Sequence, residues 1–573
     1  MRSIYVLLVT GLFIIACKDH KDDTRSSSDY NLHKTNTLSQ LQSFKPKKSE
    51  IELSKYGNEI GKSKQETKEK PNVLFISVDD LNDWEGSLLG HPQAKTPNMD
   101  KLFSEGVLFT NAHCSQPVCT ASRNSLLSGI HPTTSGWYSS TKNMKKNYDS
   151  VMANHNMLPE HFKKNGYNTF ATGKIFHSGE SDYKNKTNDF WTEYSPHFWK
   201  NMEPHIKKNG YGYRGTMFYP FPKGGGQLVQ LYGEENINKN YRDTNRFYSL
   251  CGGPLEDADI PEKGMYDEQI AEWAINKLKE PQNKPFFLSV GFIRPHVPYT
   301  APKKYFDMYP IEEIVLPEIP ENEFEDIPIM GKAIAYGYTP KGGWEDVTAK
   351  KEILPELIQS YLACVTFIDE QIGKLIEALN ESPYANNTII VLWSDHGQHL
   401  GEKRHFRKQA LWEESTKVPL YFKVPDNNGN GQKSSQVVSL LDIYPTLTDL
   451  CDLPKLSKLE GQSLIPLIIN PKKIEDRAVL TTWYYKNHAV RSNNWRYIQY
   501  RDGSEELYNH KIDPGEYINL AKNSEYADVI EEHKKWLPKS NAIPAGSAEW
   551  KGDKLDKRIE AWEKDNNLPV WLK

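Results

Sequence analysis

Three short runs along the chain are almost wholly apolar, and each stops abruptly at charged residues or leads straight to them. Pro71-Asn72-Val73-Leu74-Phe75-Ile76-Ser77-Val78 ends in Asp79-Asp80, and Asn387-Thr388-Ile389-Ile390-Val391-Leu392-Trp393-Ser394 ends in Asp395-His396-Gly397. Pro285-Phe286-Phe287-Leu288-Ser289-Val290-Gly291 leads to Arg294-Pro295-His296. Runs of this length, rich in β-branched and aromatic residues, predict strands buried in a parallel sheet. Between them the period lengthens, and Leu354 to Leu379 carries apolar residues at helical spacing. Strands alternating with helices predict an α/β fold with a mostly parallel sheet. Such sheets bind ligands in the crevice beyond the carboxyl ends of their strands, so the polar groups ending these three runs are expected to converge.

Taken alone, Asp79-Asp80 and Asp395-His396 each fit a turn or a helix N-cap. Together they supply three carboxylates and an imidazole, and neighbouring carboxylates repel unless a cation sits between them. Oxygen-rich ligation suits Ca²⁺ or Mg²⁺, and the imidazole leaves Mn²⁺ or Zn²⁺ open. A fourth segment, Cys119 to Gly129, reads as a helix beginning near Cys119, with Leu126, Leu127 and Ile130 available to the core. A helix N-terminus offers free N–H groups to an anion, and Arg123 falls in the first turns where it can neutralise charge. The plain alternative is a buried structural cysteine at a helix start.

Cys119-Thr120-Ala121-Ser122-Arg123, followed by its leucines and Gly129, resembles the signature of the formylglycine sulfatases, Cys-x-Pro/Ala-Ser-Arg. The resemblance runs through most of the chain. Thr96-Pro97-Asn98-Met99-Asp100, Thr172-Gly173-Lys174 and Leu400-Gly401-Glu402 with Lys408 match in order, and Val438 to Thr446 resembles a late helix of the family's catalytic domain. Leu507-Tyr508 and Asp513-Pro514-Gly515-Glu516 resemble its small C-terminal domain. Within the family, Gly173-Lys174-Ile175-Phe176-His177 and the Pro-His-x-Pro ending of Phe286 to Pro298 are most similar to iduronate-2-sulfatases.

The resemblance implies an alkaline-phosphatase-like α/β fold, a mostly parallel sheet flanked by helices, with a smaller C-terminal α+β domain carrying an antiparallel sheet. It implies that a maturation enzyme oxidises Cys119 to formylglycine, whose hydrate attacks sulfur and then expels sulfate by collapsing back to the aldehyde. Asp79, Asp80, Asp395 and His396, with the modified Cys119, would hold one divalent metal, Ca²⁺ in most relatives. Arg123 would steady the hydrate, and Lys174 and Lys408 would grip sulfate oxygens. His296 would protonate the departing sugar oxygen and His177 would accept a proton, or the two would exchange roles. Arg294, His405 and Gln398 would contact the substrate, a sulfated polysaccharide or its oligosaccharides. Gln398 and Gln409 stand where the iduronate enzyme has Trp and Tyr, which puts iduronate itself in question. Ala121 stands where many members have Pro, which leaves the maturation enzyme open. Two rivals remain: a phosphodiesterase or phosphonate hydrolase on the same fold, and a non-catalytic glycan-binding lipoprotein.

Composition adds the setting. A chain of 573 residues with 38% hydrophobic and 25% charged residues is globular, and its net charge of −4 gives no basis for nucleic-acid binding. Its 6 cysteines are too few for a disulfide scaffold. Arg2 precedes an apolar run from Ile4 to Ala16, too short to span a bilayer, that reads as a signal peptide; Ile14-Ile15-Ala16-Cys17 resembles a bacterial lipobox. The expected organisation is a lipoprotein signal at 1–17, a polar tether at 18–69, a catalytic domain at 70–475 and a C-terminal subdomain at 476–573. That makes the enzyme an exported lipoprotein of the bacterial envelope, anchored through Cys17. Phe190-Trp191 and Phe198-Trp199 fit either sugar stacking or core packing, and Lys223-Gly224-Gly225-Gly226 reads as a loop.

Overall fold

The computed structural model describes residues 69–138, 144–177, 187–196, 198, 251–297, 299–336, 353–546, 553–565 and 568. The signal, most of the tether, Trp199 and the glycine run lie outside them. Among the described residues, no helix is long and apolar enough to cross a membrane.

The predicted strands form, and they form side by side. In chain order the main sheet takes β1 (Asn72–Val78), β2 (Val107–His113), β3 (Asn168–Gly173) and β4 (Glu193–Tyr194). After β5 (Cys251–Leu255) come β6 (Phe286–Phe292), β7 (Tyr299–Pro302) and β8 (Thr388–Ser394). The short β9 (His399–Leu400) and β10 (Phe406–Arg407) precede β11 (Lys417–Lys423), β12 (Gln432–Ser434) and β13 (Val438–Ser439). The large sheet is ordered β12-β2-β11-β8-β1-β6-β3-β4, with β13 beside β2. All its pairings are parallel except those of β11, which runs antiparallel to both β2 and β8.

Register then places the chemistry. Val78 stands opposite Ser394 on one side and Phe292 on the other, so Asp79, Asp395 and Ile293 leave the sheet at one edge. Gly173 pairs with Gly291 on the next strand and delivers Lys174 to the same edge. Both positions require glycine: a Cβ on Gly173 would lie 2.1 Å from the Gly291 carbonyl oxygen, and one on Gly291 would lie 2.2 Å from that of Lys174.

Side chains alternate across the sheet into two cores. Leu74, Ile76 and Leu392 face one side, covered by the helices Tyr266–Lys279 and Ile353–Asn380; Val73, Phe75, Val391 and Trp393 face the other, covered by Cys119–Ser128, Leu158–Lys164 and Ile443–Leu450. Phe190, Trp191 and Phe198 are buried in these cores, and Phe176 stacks on Phe190 at 5.3 Å, so they fill space and offer no stacking face for a sugar. The expected helix across Val438–Thr446 begins only at Ile443. Val438 and Ser439 instead extend the sheet against Ala112 and His113, and the Asp442 carboxylate accepts the Ser439 N–H at 2.8 Å to start the turn that follows.

An antiparallel meander, β14 (Val479–Trp483), β15 (Asn487–Arg491), β16 (Trp495–Gln499) and β17 (Glu505–Asn509), follows, and the helix Ala527–Lys534 shares its small core through Ile530. It docks through buried charge. Arg496 Nε lies 2.5 Å from Glu516 Oε1, its Nη2 pairs with Glu413, and its Nη1 donates to the Leu411 carbonyl at 3.0 Å. Residues 411–413 sit just beyond Lys408, so the meander braces the loop that carries that lysine.

Candidate active site

The described residues bring Cys119, Asp79, Asp80, Asp395, His396, Arg123, Lys174, Lys408 and His296 into one buried cluster. Cys119 opens its helix after Val118, which is extended and gives no side-chain cap, so the first-turn amides face the site. Its Sγ lies 2.9 Å from Lys408 Nζ, 3.2 Å from His396 Nε2 and 3.7 Å from Asp80 Oδ1. His396 Nδ1 sits 3.0 Å from the Gly397 carbonyl; with that nitrogen protonated, Nε2 turns its lone pair to the site.

Arg123 ties the two metal-type loops together. Its Nε donates to Asp395 Oδ2 at 2.7 Å and its Nη2 to Asp79 Oδ1 at 3.2 Å, while Nη1 donates to the Lys174 and Ile175 carbonyls at 2.5 and 3.1 Å. Lys174 pairs with Asp79, and Lys408 Nζ lies 2.5 Å from Asp80 Oδ1. Three carboxylates are thus matched by three fixed cations. A divalent ion added to this set leaves net positive charge for an anionic substrate.

Burial alone would raise the Asp79 pKa, but Lys174 and Arg123 pull it down to about 2. Asp80 is also held low: burial is outweighed by His296, Lys408 and His396. Cys119 goes the other way, with burial pushing its thiol up to about 12 despite Lys174 and Lys408. An unmodified thiol here stays protonated at neutral pH and is a weak nucleophile. Burial also pushes the His296 pKa well below its usual value, while Asp80 pulls it back up.

The donor set fits a cation. Ligand atoms of Asp79, Asp80, Cys119 and His296 lie within 4.8 Å of one another, as do those of Cys119, Asp395 and His396. Asp80 Oδ2 is buried without a hydrogen-bond partner, an arrangement that a bound cation relieves. His296 Nε2 stands 4.0 Å from that same oxygen, with Nδ1 2.6 Å from the Val297 carbonyl. His177 follows Lys174 by three positions, and its side chain keeps access to solvent.

The three residues expected at the substrate face are engaged within the protein. Arg294 is buried and donates to the Thr300 carbonyl at 2.8 Å and the His296 carbonyl at 3.1 Å, so it shapes the loop that carries His296. The His405 ring lies between the carbonyls of Ala335 and Lys408, at 2.9 and 3.0 Å, bracing the lysine loop. Gln398 is buried and donates to the Tyr299 hydroxyl. These residues lie close in sequence to the reacting groups, and the partners they hold are backbone carbonyls and a tyrosine hydroxyl.

Sequence reasoning missed several supports. Ser122 donates to the Asp395 carbonyl at 2.5 Å, and Ser394 accepts the Leu81 N–H at 3.0 Å. Asp267, in the first turn of the helix Tyr266–Lys279, accepts the Ile293 N–H at 2.6 Å and the Arg294 N–H at 3.4 Å. Only its placement beside the apolar Ile270 and Ala271 hinted at a buried role. Asp267→Ala is expected to let the His296 loop shift and to lower kcat/KM about 10²-fold on an aryl sulfate. Steady-state kinetics checks this, with intact Cys119 conversion confirmed in the same protein.

Residues 71–453 match the family described as Sulfatase, and residues 401–542 match the family described as N-sulphoglucosamine sulphohydrolase, C-terminal. A sulfatase of Formosa agariphila is 38% identical over 84% of this chain and 89% of its own. Human iduronate 2-sulfatase is 32% identical over 67% of this chain and 69% of its own. Among solved structures, phosphonate monoester hydrolase of Agrobacterium radiobacter superposes with a TM-score of 0.62 at 20% identity, covering 86% of this chain and 96% of that one.

Proposed function

The chain belongs to the sulfatase family, and we propose that it removes sulfate from sulfated glycans using a formylglycine made from Cys119 beside one divalent metal. The observation that carries this reading is the ring of Lys408, His396 and Asp80 around Cys119 Sγ, all within 3.7 Å. The oxidised residue supplies the nucleophile, for which the raised thiol pKa makes the unmodified cysteine unsuited. Asp79, Asp80, Asp395 and His396 would hold the ion, which would polarise the sulfate and help orient the attacking oxygen. Calcium is the first candidate, since the donors are mostly carboxylate oxygens.

The remaining roles follow from position. Arg123 fixes Asp79 and Asp395 relative to each other and keeps the helix start facing the sulfate. Lys174 and Lys408, now paired with Asp79 and Asp80, provide the positive charge that receives sulfate oxygens. His296 and His177 supply the proton donor and acceptor that the leaving oxygen and the nucleophile require. A relative named for iduronate supports a sugar substrate. On the same footing, we read residues 1–17 as a lipoprotein signal and 18–69 as a tether. The enzyme is then exported and displayed on the bacterial envelope.

Chelation is the direct test of the metal. Activity on an aryl sulfate is expected to fall to background in excess chelator and to return with added calcium, magnesium or manganese. An aryl phosphate diester assayed in parallel separates the rival chemistry. Faster turnover of the diester than of the sulfate would favour a phosphodiesterase, and activity indifferent to chelator would remove the metal from the proposal.

A further inference from the structure

Asp80 sits at φ 63°, a left-handed conformation that costs a non-glycine residue about 1 kcal/mol. Three successive backbone N–H groups hold it there by donating to side chains: Asp80 to Asp395 Oδ1 at 3.1 Å, Leu81 to Ser394 Oγ at 3.0 Å, and Asn82 to the Tyr361 hydroxyl at 2.9 Å. Tyr361 alone among these partners comes from outside the strand-end loops. It lies in the helix Ile353–Asn380 and is fully buried.

Its hydroxyl acts in both directions. While accepting from Asn82 it donates to the Asp80 carbonyl at 2.9 Å or to Asn82 Oδ1 at 3.0 Å, so it closes a ring across the left-handed residue. Tyr299 and Trp84 pack edge-on against the Tyr361 ring, with centroids 5.4 and 5.5 Å away. The hydroxyl therefore has little room to move. A turn relaxed to negative φ would swing the Asp80 carboxylate away from Cys119 and Lys408.

We propose that Tyr361 is a positioning residue for the divalent ion, its hydroxyl clamping the Asp80–Asn82 turn so that the Asp80 carboxylate points to Cys119. This rests on the reading of Asp80 as a metal ligand. Outer partners that orient ligands typically account for 10–100-fold in metal affinity.

The test is calcium titration by calorimetry on chelator-stripped wild-type protein and on Tyr361→Phe, Ser394→Ala and Asp80→Asn, with melting temperatures taken with and without calcium. Tyr361→Phe is expected to raise the calcium Kd at least about tenfold and to shrink the calcium-induced rise in Tm. Ser394→Ala, which frees the Leu81 N–H on the other side of the turn, is expected to move Kd the same way. A purely structural tyrosine would lower Tm equally with and without calcium. A Kd within about twofold of wild type in both variants, with binding lost in Asp80→Asn, overturns the inference and leaves the metal reading intact. Wild-type binding that survives Asp80→Asn, or no wild-type binding at all, overturns the metal reading and the inference with it.

Discussion

Cys119→Ala is expected to reduce sulfate release to background, a loss of at least about 10⁴-fold in kcat, while leaving the protein folded. The side chain is small and buried, so its truncation costs only about 1 kcal/mol of stability. Lys408 and His396 reach this position directly, and Arg123 ties the helix on which it stands to Asp395. A variant that retained activity would move the nucleophile elsewhere, because no other described cysteine shares this setting. Cys114, the nearest in sequence, faces the Ser415 carbonyl at 3.9 Å. Turnover and circular dichroism on the same preparation separate chemistry from folding.

Arg123→Ala is expected to do the opposite, striking stability first. Its guanidinium is wholly buried between Asp79 and Asp395. Removing it leaves two buried carboxylates short of a partner, and breaking buried pairs of this kind costs about 3–5 kcal/mol. Lys174 still neutralises Asp79, but Asp395 is left with the Asp80 N–H on its Oδ1 at 3.1 Å and the uncharged His396 ring 3.6 Å away. Arg123→Lys keeps the charge and loses the fork that bridges both acids, so it should fall between the two. Denaturant unfolding of the three proteins measures the order, and a loss below about 1 kcal/mol in the alanine variant would mean the guanidinium does not organise the site.

The strand-end chemistry was legible because strands buried on both faces are written as unbroken apolar runs. Asp79-Asp80 and Asp395-His396 interrupt such runs, and parallel pairing of β8, β1 and β6 then leaves them no place except one edge. Cys119 was legible through its motif, and the helix start follows from it. The supports were not. Tyr361 sits in a run of apolar residues, Tyr361-Leu362-Ala363-Cys364-Val365, where any buried aromatic satisfies the pattern. Only the fold brings its hydroxyl to Asn82, 279 positions away. The partners of Arg294, His405 and Gln398 were hidden for a related reason: nearness in sequence to a reacting group does not say which way a side chain turns. Arg294 and His405 face backbone carbonyls, and Gln398 faces the Tyr299 hydroxyl. Val438-Ser439 was misread because two apolar-polar residues before a helix do not reveal a strand partner in β2.

Sulfate ester hydrolysis by this chain is expected to depend on a converted Cys119. Preparations matured to different extents are assayed for sulfate release from a panel of sulfated oligosaccharides, and the mass of the Cys119 peptide gives the converted fraction in each. Release is expected on at least one glycan, rising in proportion to that fraction and absent from unconverted protein. Fully converted protein that releases no sulfate from any sulfated sugar, or unconverted protein that releases it at the same rate, would contradict it.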